Sequence, residues 1–326
     1  MTQAQLSITA SLKALHNLPI DPELALIFPG QGAQKAGMGS RAAKASTIAK
    51  SAFETADDVL RARLSRLCFE GPEEELTRTA NAQPAILTTS LAILAAALES
   101  GVLNNRPAFL AGHSLGEYTA LVAAGSLPFS DALWLVRERG RLMDEAGTEN
   151  PGTMAAIVGL SEDVVSEVCQ LSGAEQCNFN ARTQTVIGGK AEVVQIACRL
   201  AKERGGRGLP MNVSGAFHTS LMKSATHTFE AVLDGVVPEE TVVPVVGNVT
   251  ANPLESPAEI VSELRRQMAM PVLWYQSLRF MIDAGVRTFV DVGPGQTLVS
   301  MLKRDHPELT LISLDQPSVP AGASHV

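Results

Sequence analysis

Cysteine is scarce in this chain of 326 residues, and the four that occur are Cys68, Cys169, Cys177 and Cys198. They form no Cys-x-x-Cys pair, and their spacing is not that of a metal site. This pattern excludes a disulfide framework and a cysteine-based metal centre. It is typical of reduced thiols and predicts a cytoplasmic protein.

Basic residues and long hydrophobic runs are also in short supply. Lysine and arginine number 26 against 34 acidic residues, which gives a net charge of −8 and a pI near 5.3. This balance argues against nucleic acid as the main partner. No run of about 18 apolar residues occurs, and the N-terminus lacks the apolar core and cleavage site of a signal peptide. Neither export nor a membrane span is expected.

The composition is that of a globular protein, with 45% hydrophobic and 18% charged residues. The length allows one large α/β domain with a smaller unit inserted. We expect a catalytic core in two segments around an inserted subdomain, flanked by a short N-terminal extension and a disordered tail. The predicted ranges are 22–149 and 214–315 for the core, 150–213 for the subdomain, 1–21 for the extension and 316–326 for the tail.

Strands and helices alternate along the catalytic core. The apolar run 24–28 predicts a buried strand, and a helix follows over 41–60. A cap formed by Ser130 and Asp131 is expected to begin another helix. After the insert, strands are predicted at 242–248 and 287–292, and helices at 259–269, 272–284 and 296–304. Such alternation predicts a mainly parallel sheet with helices on both faces.

The pattern changes between 150 and 213. A strand at 153–158 is followed by a helix to about 171, a hairpin over 177–189, a second helix at about 191–204 and a last strand near 208–212. The order strand-helix-strand-strand-helix-strand is that of a ferredoxin-like unit.

A Gly-x-Ser-x-Gly motif marks the candidate nucleophile. Ser114 lies between Gly112 and Gly116, where an apolar strand pattern changes to a helical one. The strand-to-helix turn of a nucleophile elbow is so tight that the residues two positions either side of the serine must be small. The following helix directs its free N–H groups and positive dipole end at the same point, where an oxyanion would form.

A serine nucleophile needs a base, and His218 is the best candidate among the six histidines. His113 is adjacent to Ser114, but the elbow geometry should direct its side chain away from the hydroxyl. No acidic residue between Ser114 and His218 lies on a suitable loop after a strand. A Ser-His dyad, with the imidazole held by a backbone carbonyl, is therefore favoured over a triad.

Several ordered motifs resemble those of the malonyl-CoA:acyl carrier protein transacylases, over residues 24 to 305. They are Phe28-Pro29-Gly30-Gln31-Gly32-Ala33-Gln34, Gly112-His113-Ser114-Leu115-Gly116-Glu117-Tyr118, Arg137-Glu138-Arg139-Gly140, Asn178-Phe179-Asn180, Ala216-Phe217-His218 and Asp291-Val292-Gly293-Pro294-Gly295. The resemblance implies a hydrolase-like α/β core with a ferredoxin-like (βαββαβ) insert.

The resemblance also implies site roles. Ser114 would be the nucleophile, and His218 the general base and then the general acid. The backbone N–H groups of Gln31 and Leu115 would form the oxyanion hole. Arg139 would bind the free carboxylate of the malonyl group, and a guanidinium suits this role because it can grip a planar carboxylate with two parallel hydrogen bonds.

Other positions bear on acyl choice and on support for the base. Phe217 and Asn180 are expected at the acyl pocket, and Leu115 and Phe217 are similar to malonyl-selective members. Phe217 would crowd an α-methyl group. Leu273 stands where some members have a glutamine whose main-chain carbonyl supports the histidine, and we expect the Leu273 carbonyl to serve equally.

The resemblance implies transfer of malonyl from malonyl-CoA to the phosphopantetheine thiol of acyl carrier protein through a malonyl-serine, supplying fatty acid synthesis. No metal or redox cofactor is needed for this chemistry, and a monomer is expected. A local basic docking patch is predicted near the mouth of the site, with Lys190, Arg204, Arg207 or Lys223 as candidate members. Alternatives are the same chemistry in a polyketide line or a malonate decarboxylase complex, a serine thioesterase or esterase, and a non-catalytic scaffold.

Overall fold

The nucleophile motif lies at the carboxyl edge of a mainly parallel six-stranded sheet, sheet A, in a computed structural model that describes residues 2–315. The sheet has the strand order β10-β9-β1-β2-β7-β8. All neighbouring strands are parallel except β7 and β8. Its strands are β1 (Ile20–Phe28), β2 (Arg106–Gly112), β7 (Val245–Val246), β8 (Pro253–Leu254), β9 (Thr288–Asp291) and β10 (Thr310–Ser313). The tail predicted over 316–326 lies outside the described residues.

Helices cover both faces of this sheet, as the alternation predicted. The central strand β1 is fully buried from Leu24 to Phe28, because its side chains enter two apolar clusters on opposite faces. The helices are α1 (Gln3–His16), α2 (Ser40–Ala45), α3 (Thr47–Leu60), α4 (Leu64–Glu70), α5 (Glu73–Thr77), α6 (Thr79–Glu99), α7 (Leu115–Ala123), α8 (Phe129–Glu149), α9 (Glu162–Ser172), α10 (Ala191–Glu203), α11 (Lys223–Leu233), α12 (Pro257–Arg266), α13 (Trp274–Asp283) and α14 (Thr297–Asp305).

Helix α6 is long and apolar enough to cross a membrane by length and composition, but 83% of its most apolar window is buried inside the protein. Its main neighbours are α3 and α8, and α1 and α7 also contact it. A helix that is apolar all round and packed on several sides is a core helix of a large domain.

The inserted segment forms the separate antiparallel sheet B, with the order β4-β5-β3-β6. Its strands are β3 (Thr153–Val158), β4 (Glu175–Ala181), β5 (Gln184–Gly189) and β6 (Arg207–Pro210). Helices α9 and α10 pack on the sheet around Ile157, Val165 and Ile187. The fold class is confirmed as a hydrolase-like α/β core plus a βαββαβ unit, and within the insert the predicted element order is observed. The exact domain bounds stay a prediction.

Some predicted details are wrong. Helix α8 begins at Phe129 after Pro128, with no side-chain capping bond, and Ser130 Oγ donates to the Asp131 carboxylate instead. The strand predicted at 242–248 is reduced to Val245–Val246. Strands β8 and β10 were missed. Both are short, and two to four residues carry too little alternation to stand out.

Helix α1 packs into the core of the large domain. Ile8 and Leu15 are fully buried against α3 and α6. A capping box between Thr2 and Gln5 begins the helix. At its other end, Arg106 donates to the His16 carbonyl at 2.9 Å. The segment predicted as an extension therefore contributes to the same core as the sheet.

Candidate active site

Ser114 lies in a strained turn between β2 and α7. Its φ of 52° and ψ of −106° fall outside the regions that most residues adopt. A Cβ on Gly112 would come within 1.9 Å of the Gly116 carbonyl carbon, and one on Gly116 within 2.1 Å of the Phe28 oxygen. Both glycines are required by close backbone approach, which is the physical reason for the motif's spacing.

His218 faces the serine across the site. Its Nε2 lies 2.8 Å from Ser114 Oγ, while its Nδ1 lies 2.8 Å from the Gln267 carbonyl oxygen and 3.2 Å from that of Met270. Carbonyl oxygens can only accept, so Nδ1 carries the proton and Nε2 presents its lone pair to the hydroxyl. No carboxylate is needed to fix this tautomer.

The surroundings keep His218 neutral. Burial, and secondly the positive charge of Arg139, lower the pKa of His218 to about 3. The imidazole is therefore free to accept a proton at neutral pH.

The prediction that the Leu273 carbonyl supports the histidine is wrong. That carbonyl accepts the Ser277 N–H at 2.9 Å and the Ser277 hydroxyl at 3.0 Å, because Leu273 is the N-cap of α13. The supporting carbonyls belong to Gln267 and Met270, on the segment that follows α12.

Arg139 is buried beside the nucleophile, with 1% of its surface exposed. Its Nη1 donates to Gln83 Oε1 at 2.8 Å, and its Nη2 donates to Gln267 Oε1 at 2.9 Å and to Ser114 Oγ at 3.0 Å. The two amide oxygens fix the plane of the guanidinium. Burial lowers the pKa of Arg139 from its usual value, yet arginine remains a cation at neutral pH.

Arg139 reaches this position because α8 lies very close to α6. A Cβ on Gly140 would be 2.6 Å from the Thr79 carbonyl oxygen, so only glycine allows the approach. Arg137 bonds to the Ala80 carbonyl and the Asn81 side chain instead. Arg141 is exposed and pairs with Glu138 and Glu145.

The two backbone N–H groups predicted as oxyanion donors belong to segments that lie against the elbow. Leu115 is the first residue of α7, where an N–H has no partner within the helix. The loop that carries Gln31 passes against the elbow, since a Cβ on Gly30 would be 2.3 Å from the His113 oxygen. Within residues 2–315 neither the Leu115 nor the Gln31 N–H has an acceptor, and the Gln31 side chain bonds to Thr79 at 3.3 Å.

Of the predicted acyl-pocket residues, Asn180 contacts His113 and Phe217 directly precedes His218 in the chain. His113 Nε2 bonds to Asn180 Oδ1 at 2.8 Å, and the His113 ring meets Trp274 edge-on. The elbow thus directs His113 away from Ser114, as predicted. Phe217 is 6% exposed and packs over Gly215, where a Cβ would be 3.3 Å from its ring.

Sequence reasoning missed the buried polar residues beneath the elbow. Asn248 Oδ1 accepts the Ser114 N–H at 2.7 Å, and its Nδ2 donates to the Gly112 carbonyl at 2.7 Å. Gln267 Nε2 donates to the Ser114 carbonyl at 3.0 Å and to Glu117. Their signal in the sequence is weak, because both lie more than 130 residues from Ser114, outside any local motif.

The candidate residues of the predicted docking patch do not all lie together. In sheet B, Arg207 pairs with Val158, whereas Lys190 follows Gly189, which pairs with Thr153. Lys190 and Arg207 therefore lie at opposite ends of β3. The end of β3 near Lys190 is also the end near the loop that carries Ala216 and His218, called here the His218 loop. A Cβ on Gly188 would be 3.4 Å from Ala216.

Comparison with known proteins agrees with this geometry. The acyl transferase domain family matches residues 25–314. The chain is 43% identical over 301 residues to the malonyl CoA-acyl carrier protein transacylase of Bacillus subtilis strain 168, an alignment that covers 90% of this chain and 94% of that protein.

Two solved structures show the same fold. FabD from Acinetobacter baumannii superimposes with a TM-score of 0.86 at 38% identity, covering 91% of this chain and 95% of that one. A malonyl-transacylase in complex with a type II polyketide acyl carrier protein gives a TM-score of 0.87 at 38% identity, with 90% and 96% covered. The chain therefore belongs to the acyl transferase domain family, among the malonyl-CoA:acyl carrier protein transacylases.

Proposed function

We propose that this protein transfers malonyl from malonyl-CoA to the phosphopantetheine thiol of an acyl carrier protein, through a malonyl ester on Ser114. The observation that carries the proposal is that one half-buried oxygen, Ser114 Oγ, lies 2.8 Å from His218 Nε2 and 3.0 Å from Arg139 Nη2. The malonyl carboxylate is separated from the thioester carbonyl by a single methylene, so its binding group must lie next to the nucleophile. Arg139 meets that requirement.

In the first half-reaction, His218 takes the proton of Ser114 as Oγ attacks the thioester carbon. The resulting oxyanion accepts hydrogen bonds from the N–H groups of Leu115 and Gln31. The intermediate then collapses, the C–S bond breaks, and the coenzyme A thiolate takes the proton from His218. In the second half, the carrier thiol gives its proton to His218 and attacks the ester. Collapse returns the proton to Ser114.

His218 and Ser114 act as a dyad in this scheme, and every proton is moved by a group of the chain itself. We accordingly propose that no metal or redox cofactor takes part. All these groups come from one chain, which supports a working monomer. The cysteines at 68, 169, 177 and 198 are unpaired, and burial raises the pKa of each. Inert thiols of this kind support a cytoplasmic location.

Intact-protein mass tests the proposal directly. After brief incubation with malonyl-CoA, we expect a malonyl-sized increase on the wild type and none on Ser114→Ala. Addition of a fatty acid synthesis carrier protein should discharge the adduct onto that carrier. An adduct that decays to water at the same rate with and without carrier would indicate a thioesterase, and discharge only onto a polyketide carrier would reassign the pathway.

Carrier docking is proposed for the positive charges around the His218 loop. Lys190 and Lys223 are exposed near this loop, and carrier proteins are acidic. Lys190→Glu and Lys223→Glu should each raise the KM for carrier protein by about threefold to tenfold and leave the KM for malonyl-CoA unchanged. Arg207→Glu, at the far end of β3, is the matched control. An equal effect from this control would place docking elsewhere.

A further inference from the structure

Two buried glutamates lie beneath the nucleophile and have no role in the steps above. Glu117 is on α7 and Glu263 on α12, and neither side chain has any exposed surface. Their carboxyl groups accept hydrogen bonds from the N–H groups of two consecutive residues, Asn248 and Val249, which places the carboxyl groups next to each other. A Cβ on Gly247 would lie 3.0 Å from Glu263 Cδ. The Glu263 carboxyl group therefore fits at this position because Gly247 has no side chain.

Glu117 has a hydrogen-bond donor at both carboxyl oxygens, whereas Glu263 has a donor at only one. Glu117 Oε1 accepts the Asn248 N–H at 3.1 Å, and its Oε2 accepts a hydrogen bond from Gln267 Nε2. Glu263 Oε1 accepts the Val249 N–H, whereas its Oε2 has no hydrogen-bond donor within residues 2–315. The nearest cation is Arg266, whose Nη2 is 3.9 Å away and whose Nε donates to the Ser262 carbonyl.

A buried, ionised oxygen without a donor, in a carboxylate next to a second carboxylate, would be very costly. A hydroxyl at that position removes the cost, because it donates to the neighbouring carboxylate. We propose that Glu117 and Glu263 share one proton, carried on Glu263 Oε2 and donated to Glu117, and that this acid pair positions Gln267 for transfer.

The electrostatics agree with a retained proton. Burial, and secondly the negative charge of Glu263, raise the pKa of Glu117 well above its usual range, and burial raises that of Glu263. The charged and titratable groups that face the pair are Arg139 from α8, Tyr118 from α7 and Arg266 from α12. With one proton the pair carries a single negative charge, which balances the buried guanidinium of Arg139.

The pair acts on the reaction through Gln267. This residue donates to Glu117, accepts from Arg139 through its side-chain oxygen, and accepts from His218 through its main-chain carbonyl. Loss of the shared proton would leave two like charges between α7 and α12, and their repulsion would displace the segment that carries Gln267. Both the base and the carboxylate-binding arginine would then lose their alignment.

Glu263→Gln and Glu263→Leu separate the shared proton from simple packing. The amide N–H of glutamine can replace the hydroxyl, and its oxygen can still accept from Val249. We expect Glu263→Gln to keep kcat within about threefold of wild type at neutral pH. Glu263→Leu should lower kcat about 30-fold and raise the KM for malonyl-CoA, because both His218 and Arg139 lose their alignment. Wild-type kcat should fall as pH rises and the pair loses its proton, and this decline should be absent in Glu263→Gln.

The inference rests on the proposed transfer activity, so a second readout independent of turnover is needed. In wild-type protein labelled with ¹³Cδ-glutamate, nuclear magnetic resonance should show one glutamate carboxyl still protonated at neutral pH, and Glu263→Gln should remove that signal. The label excludes aspartates, including Asp291, whose pKa is raised to about 8 by burial. Glu167→Gln, exposed on α9, is the control. Two ionised carboxylates at neutral pH, or equal kcat and pH profiles for Glu263→Gln and Glu263→Leu, would overturn the proposal.

Discussion

The polar cluster beneath Ser114 and the core of sheet B are both buried, but they are held together differently. The polar cluster comprises Glu117, Arg139, Asn248, Glu263 and Gln267, each at most 1% exposed. The sheet B core is an apolar cluster of side chains that include Ile157, Val165, Ile187 and Val194.

This contrast shows which buried region is built for function rather than for stability. Apolar burial in sheet B stabilises the protein without directional partners. The polar cluster must satisfy nearly every donor and acceptor, because an unpaired buried polar group costs free energy. Changes in the cluster should therefore mainly affect the reaction, and changes in the apolar core of sheet B should mainly affect stability.

Arg139→Met should produce the largest effect. It removes the carboxylate partner while keeping much of the side-chain volume, and kcat/KM for malonyl-CoA should fall by about a thousandfold, or roughly 4 kcal/mol. Discrimination between malonyl-CoA and acetyl-CoA should largely disappear. Arg137→Met is the matched control on the same helix. Steady-state kinetics with both thioesters provides the measurement, and preserved malonyl preference in Arg139→Met would contradict the assigned role.

The pH dependence of kcat/KM provides the second prediction, in which a smaller effect is expected. A protonated His218 cannot accept the serine proton, so activity falls as pH drops through its pKa. Since that pKa is lowered to about 3, wild-type kcat/KM should stay level from neutral pH down to about pH 5.

Arg139→Met removes the nearby positive charge that helps to lower the pKa of His218. The acid limb should therefore move to higher pH, and residual activity should begin to fall sooner on acidification. Assays after preincubation at each pH and return to neutrality separate titration from acid unfolding. An unchanged acid limb in the variant would show that burial alone sets the pKa.

Ile157→Ala should have the smallest effect on activity. Removal of a fully buried side chain from sheet B should lower the free energy of unfolding by about 2–5 kcal/mol. The kcat per folded molecule should equal that of wild type. Urea unfolding and active-site titration supply the two values, and Val164→Ala, at a half-buried position of α9, is a milder control. A large loss of kcat in Ile157→Ala would mean that sheet B also aligns the polar cluster.

The elbow could be predicted from sequence because its constraints are local. Gly112, Ser114 and Gly116 lie within five residues, and the strand and helix patterns flank them directly. Element order was predicted for the same reason, since periodicity within a strand or helix needs no distant partner. Strand β7 is shorter than predicted because only Val245 and Val246 pair with both neighbouring strands, β2 on one side and β8 on the other.

The polar cluster could not be predicted in this way. Glu263 lies on a helix that ends in Arg265 and Arg266, and its charge alone suggests an exposed position. Its burial depends on Gly247 and on Glu117, which are distant in sequence. Arg139 likewise shares its helix with Arg137 and Arg141, and only the close approach at Gly140 distinguishes it. Packing between separate segments, which no single-segment pattern encodes, decides which charged residues become functional.

Helix α1 has a practical consequence for how the chain can be shortened. His16 Nε2 bonds at 2.8 Å to the carbonyl of Ala123, the last residue of the nucleophile helix α7. Ile8, Leu12 and Leu15 cover apolar side chains of the domain. Truncation before β1 would uncover this surface in water, and exposed apolar patches of this kind promote self-association. The shortened protein should be lost to aggregation during expression, although every catalytic residue would still be present.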